Sequence, residues 1–136
     1  MSTLLPFLKR FGPALAIMAA IFLASSQAKA EIPDFGGYDW SVKKSGHLII
    51  YAVLAWAYLR GLTNGGPVTW RAAVLAACLA ALYGASDEFH QSFVAGRGAT
   101  VVDVLIDAVG AGLGVGLTAG WGRFRGGALG RDLRDL

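Results

Sequence analysis

Four apolar runs, over about residues 11–26, 46–62, 68–90 and 99–121, take up most of this 136-residue chain, and no other feature restricts its fold as much. With 55% hydrophobic and only 15% charged residues, the chain lacks the charge that the surface of a small soluble domain requires. A helix needs roughly 20 residues to cross the hydrocarbon of a bilayer. Several of the runs reach that length only when their polar ends are counted, which places His47 and Asp87 near the membrane boundary instead of at its midplane. The expected fold is an all-α integral membrane protein, a four-transmembrane-helix bundle over residues 1–121 with a basic and acidic tail over 122–136. The 19 glycines fit this reading, because membrane helices use small residues where backbones approach closely.

Residues 1–30 admit two readings. Lys9 and Arg10, an apolar stretch and Ala28-Lys29-Ala30 have the layout of a cleavable signal peptide. Alternatively, the same residues form a retained first helix whose outer end is marked by Ser25-Ser26-Gln27. Four alternating helices put Lys9, Arg10, Arg60, Arg71, Arg123, Arg125, Arg131 and Arg134 on one side, and Lys29, Lys43, Lys44 and Arg97 on the other. Eight basic residues against four predict cytoplasmic termini in a bacterial inner membrane. A net charge of +3 scattered through apolar segments gives no nucleic-acid surface. The single cysteine, Cys78, excludes an internal disulfide framework.

Ionisable groups near a bilayer interior are costly and usually functional, and here they concentrate in one place. The stretch from Tyr83 through Arg97 to Asp107 holds Asp87, Glu88, Asp103 and Asp107, four of the nine carboxylates, with His90 and an arginine between glycines. On the second helix Lys44, His47, Tyr51, Ala55 and Tyr58 share one face. On the third, Tyr83, Asp87 and His90 share a side, with Gly84, Glu88 and Gln91 on the adjacent one. On the fourth, Asp103, Asp107, Gly110 and Gly114 form a stripe that begins acidic and ends small, so its small part suits close helix packing. These faces are expected to converge in one polar pocket on the outer side. Arg97 suits a phosphate or carboxylate held by guanidinium N–H groups, or simply reaches the headgroups. Asp103 is a partner for Arg97 or an orienting group for a histidine, and Asp107 is either protonated or paired. Two histidines with several carboxylates suit acid–base work or a divalent metal, although their spacing matches no ligand motif and assigns no metal ligand set.

Ser25-Ser26-Gln27, Lys44-x-x-His47-x-x-x-Tyr51, Asp87-Glu88-x-His90-Gln91-x-Phe93 with Gly96-Arg97, and Asp103 followed by Gly110 together resemble the VanZ-like family of small bacterial membrane proteins, over roughly residues 15–118. The resemblance implies four membrane helices, a retained first helix and, by the family's name, an association with teicoplanin resistance; it delivers no reaction. Ala95 stands where the family often has proline and Asp107 where it often has asparagine, which adds an acid to the fourth helix.

The resulting expectation is an outward-facing site for an anionic envelope lipid or a glycopeptide-like ligand. Its ligand-binding residues are Lys44, His47, Tyr51, Asp87, Gln91 and Arg97, with Arg97 and Lys44 on the anion. One alternative is a membrane-embedded hydrolase or transferase on a lipid-linked phosphate, with His90 or Glu88 as acid/base and Asp103 as orienting group or metal ligand. The other is a structural assembly subunit whose charges lock its own helices. Membrane lipids are the expected partners in each case.

Overall fold

The computed structural model describes residues 4–98 and 100–132, and side chains as far as residue 122. Its long helices are α1 (Leu4–Ser25), α2 (Asp39–Thr63), α3 (Trp70–Gln91) and α4 (Val101–Asp132), with single 3-10 turns at Lys29–Glu31 and Gly36–Tyr38 between α1 and α2. Among the described residues there is no strand. Helix α2 starts at Asp39, about two turns before the apolar run begins, so Lys43 lies on the helix together with Lys44. Helix α4 continues past its apolar run to Asp132. Of the expected tail, Arg134 and the side chains of Arg123, Arg125 and Arg131 lie outside the described residues.

Local chemistry accounts for the helix ends. Thr69 caps α3, its hydroxyl accepting the Ala72 N–H at 3.2 Å, and Thr100 caps α4, accepting the Asp103 N–H at 3.1 Å. Asn64, left-handed at φ 52°, closes α2 before the Gly65-Gly66-Pro67 turn. Two helix C-termini are met by an arginine from another element. Arg10 of α1 donates to the Gly61 carbonyl at 3.0 and 3.1 Å, and Arg97 donates to the Ala24 and Ser25 carbonyls at 3.1 Å each. A guanidinium there satisfies carbonyls that have no intrahelical partner and complements the negative end of the helix dipole.

The helices run up, down, up and down. The Arg10 contact places the start of α1 beside the end of α2, while Gly110 and Gly114 of α4 lie against Leu48 and Ala52 of α2, making α2 and α4 parallel. Helix α2 sits at the centre, packed on all three others, with Tyr51, Leu54, Ala55, Ala57, Leu59 and Gly61 buried. Helix α3 meets the bundle along Ala76, Ala80 and Gly84, a four-residue repeat of small residues that permits close approach. Outward faces are apolar: Phe22 and Leu23 on α1, Leu75 and Leu82 on α3, and Val102, Leu105, Val109, Leu113 and Leu117 on α4 are exposed.

Three helices, Leu4–Ser25, Trp70–Gln91 and Val101–Gly122, are long and apolar enough to cross a membrane; α2 is not. The shortfall has a physical reason. As the inner helix α2 turns Lys44 and His47 toward α4, yet it still exposes Ile49, Val53 and Trp56 outward. Apolar outside and carboxylates inside is the arrangement of a membrane protein.

Candidate functional site

Where α1 and α3 end and α2 and α4 begin, the bundle opens into a cavity of about 660 Å³. Lys44, His47, Tyr51, Asp87, Gln91, Arg97 and Asp103 all line it. Ile21, Ala24 and Ile50 supply an apolar flank, and Lys29, Lys43 and Trp40 border its mouth side. Each of the four long helices therefore contributes to one polar space.

Lys44 donates to Asp103 Oδ1, and Asp103 Oδ2 accepts the Thr100 hydroxyl at 2.6 Å. Asp103 is thus paired with Lys44, not with Arg97. One turn deeper, His47 Nδ1 lies 2.9 Å from Asp107 Oδ1, so the carboxylate that orients a histidine is Asp107, which is fully buried. Across the bundle, Ser25 donates to Asp87 Oδ1 at 2.6 Å and Gln91 Nε2 to Asp87 Oδ2 at 2.8 Å. Glu88 Oε2 accepts the backbone N–H of Thr100 at 3.2 Å. In a capping box that N–H is taken by a side chain three residues on. Here α3 supplies the acceptor, which ties the end of α3 to the start of α4 and leaves Asp103 for Lys44.

Arg97 stands next to Gly96, whose φ of 73° lies in the left-handed region that suits glycine. The turn directs Nη1 of Arg97 to the two α1 carbonyls, and three of its five N–H donors, on Nε and Nη2, remain for another acceptor. Lys43 and Asp39 form a pair at 2.7 Å outside the apolar segment, and the ammonium holds the Asp39 carboxyl below the usual carboxylate range.

His90 stands apart from this space. Its Nε2 lies 3.1 Å from the Ser26 hydroxyl and its ring packs on Phe22, with centroids 4.7 Å apart. Of His90, Glu88 and Asp103, only Asp103 lines the cavity; Glu88 is buried behind it. His47, Glu88 and Asp107 are drawn together, each offering one ligand atom within 4.8 Å of the others. Tyr51 stacks along His47 with its hydroxyl buried and, among the described residues, without a hydrogen-bond partner, and Asp107 Oδ2 is likewise unpartnered. Gly84 lets α3 come this close, since a Cβ there would stand 3.0 Å from Asp107 Oδ2 and 3.2 Å from Tyr51 Cε1.

Sequence reasoning left Ser25, Thr100 and Asp107 outside the site. The signals were present in part: Asp107 lies one turn below Asp103 on the same stripe, and Ser25 falls in Ser25-Ser26-Gln27. Replacing Ser25 by Ala removes the donor on buried Asp87 Oδ1, and the expected cost is about 1–3 kcal/mol. Unfolding by denaturant in detergent micelles measures it; Ser26→Ala, at an exposed hydroxyl, serves as the near-neutral comparison. Equal losses from the two variants would refute the role given to Ser25.

A family model described as VanZ/LLP1 matches residues 4–122, nearly all of the residues that form the four helices and the cavity. No curated protein and no solved structure matches the chain.

Proposed function

The chain belongs to the VanZ/LLP1 family of VanZ-like proteins, and on that premise we propose that it is a four-span protein of the bacterial inner membrane whose cavity holds the anionic headgroup of an envelope amphiphile. In this reading α2 is the fourth span, shielded by its neighbours, and both termini are cytoplasmic. Lys29, Lys43, Lys44 and Arg97 then gather at the outer end, around the cavity mouth.

The observation that carries the proposal is the division of the cavity wall. Ile21, Ala24 and Ile50 offer an apolar flank suited to a chain or ring, while Lys44 and Arg97 bring cations with unused donors to the same space. A phosphate or carboxylate fits the second group because charge-assisted hydrogen bonds to an anion are the stronger kind. Nothing in the wall selects one headgroup, so a lipid-linked phosphate and a glycopeptide-like carboxylate remain within one class of ligand.

The test compares a long-chain alkyl phosphate with the matching alcohol on protein in zwitterionic nanodiscs. Wild type is expected to prefer the phosphate. Arg97→Gln, which loses the charge, is expected to weaken phosphate binding about tenfold or more and leave the alcohol unchanged, as a charged hydrogen bond worth about 1.5–3 kcal/mol requires. Equal binding of the two amphiphiles by wild type overturns the proposal.

A further inference from the structure

We infer that His47, Glu88 and Asp107 form a binding site for a divalent metal ion behind the cavity wall, reached where His47 lines it. The three residues come from α2, α3 and α4, and one imidazole nitrogen and two carboxylate oxygens lie within 4.8 Å of one another. Such a mixed nitrogen and oxygen set suits zinc, manganese or ferrous iron. This inference stands on residues other than the cavity's cations and does not depend on the anion-binding proposal.

Charge supplies the first argument. Asp87, Glu88, Asp103 and Asp107 are all buried, while the basic groups that reach them are the ammonium of Lys44, on Asp103, and the imidazole of His47, on Asp107 and a cation only when protonated, so that Glu88 has none. Arg97 spends its Nη1 donor on the α1 carbonyls. A buried carboxylate without a cationic partner costs several kcal/mol even after relaxation. A divalent ion beside Glu88 and Asp107 offsets the excess where Lys44 does not bond to it.

Hydrogen bonding supplies the second. Asp107 is fully buried and Tyr51 is 1% exposed, yet Asp107 Oδ2 and the Tyr51 hydroxyl have no partner among the described residues. Buried polar atoms are paired in nearly all folded proteins, so an unpaired carboxylate oxygen inside the cluster points to a bound cation. The space beside it is kept by Gly84, because a Cβ there would press on Asp107 Oδ2.

The third is orientation. Ligating carboxylates are normally fixed by a further shell of hydrogen bonds. Glu88 has both oxygens engaged, by the Thr100 N–H at 3.2 Å and Gln91 Nε2 at 3.4 Å, and each oxygen keeps a second lone pair. His47 belongs to the cavity wall and its side chain is 23% exposed, which gives an ion a route in. Three protein ligands leave coordination positions for water or for an anion in the cavity.

The experiment uses the full chain in zwitterionic nanodiscs, stripped with a chelator and titrated with Mn²⁺ alone, free Mn²⁺ being read by EPR. Wild type is expected to take up one Mn²⁺ per chain and to melt higher with it. Glu88→Gln and Asp107→Asn are each expected to weaken uptake by about a hundredfold, at or beyond the top of the roughly 10- to 100-fold range for outer-shell partners. Asp34→Asn, in the loop before α2, is expected to leave it unchanged. Pulsed EPR on the loaded protein should show coupling to an imidazole nitrogen that persists in His90→Gln, which leaves His47 as the chain's only histidine. That measurement holds even if a ligand variant fails to fold. No stoichiometric uptake by folded wild type, uptake that survives both carboxylate variants, or no nitrogen coupling each overturns the inference.

Discussion

Gly114→Leu is expected to abolish the folded bundle, whereas Gly112→Leu, two residues away, leaves it intact. At Gly114 a Cβ would collide with the carbonyl oxygen of Ala52 and crowd the rest of its backbone, and at Gly110 it would collide with the Leu48 carbonyl. Those atoms belong to the central helix and have no rotamer to adopt. The two helices must separate along their length, or α4 must rotate. Overpacking of a core with mobile side chains costs roughly 1–3 kcal/mol, and a fixed backbone puts this case beyond that range. Separation also pulls Asp103 and Asp107 from Lys44 and His47, which leaves buried charge without partners. Among the described residues nothing lies within 4 Å of where a Cβ at Gly112 would stand, so its leucine enters open space on the outer face. Melting by circular dichroism in detergent, with gel filtration for monodispersity, separates the two outcomes; a Gly114→Leu protein that melts with wild type would show that α2 and α4 do not pack as described.

The same glycines show what could be read in the chain. Three overlapping spacings, Gly110/Gly114, Gly112/Gly116 and Gly116/Gly120, predict helix packing with equal strength, yet only the first pair meets another helix. Periodicity assigns residues to a face; it does not say which face a neighbouring helix covers. The acidic start of the stripe broke that tie, because Asp103 and Asp107 must turn inward and carry Gly110 and Gly114 with them. The convergence of α2, α3 and α4 was legible for this reason. Pairing within the cluster was not. Lys44 and His47 lie about one helical turn apart, as do Asp103 and Asp107, and a shift of α4 by one turn exchanges the partners. The α1 contact of Arg97 was not legible either. A lone arginine between glycines suits an external anion, but the end of α1 offers carbonyls that attract the same guanidinium, and that contact depends on how α1 docks.

The charge pair at the cavity gives the second large effect. Lys44→Met is expected to destabilise the chain strongly, and the double variant Lys44→Met with Asp103→Asn to recover most of the loss. The methionine leaves a carboxylate whose side chain is only 10% exposed, with the Thr100 hydroxyl as its remaining hydrogen-bond partner. Breaking a buried pair from one side costs roughly 3–5 kcal/mol, mostly through the stranded charge, and the 22% exposure of the lysine side chain puts this pair near the lower end. Removing both charges takes away attraction and desolvation cost together, while asparagine keeps an oxygen for Thr100 and leaves the cap of α4 in place. Lys43→Met is the internal comparison, since its pair with Asp39 is an i,i+4 contact with side chains 34% and 31% exposed. Screening by solvent makes such a pair weak, so little change is expected there. Unfolding free energies of the four proteins in the Lys44/Asp103 cycle give the coupling directly. A double variant as unstable as the sum of the singles would mean that Lys44 supports the bundle through its aliphatic stem, and that the carboxylates at this end are neutralised without it.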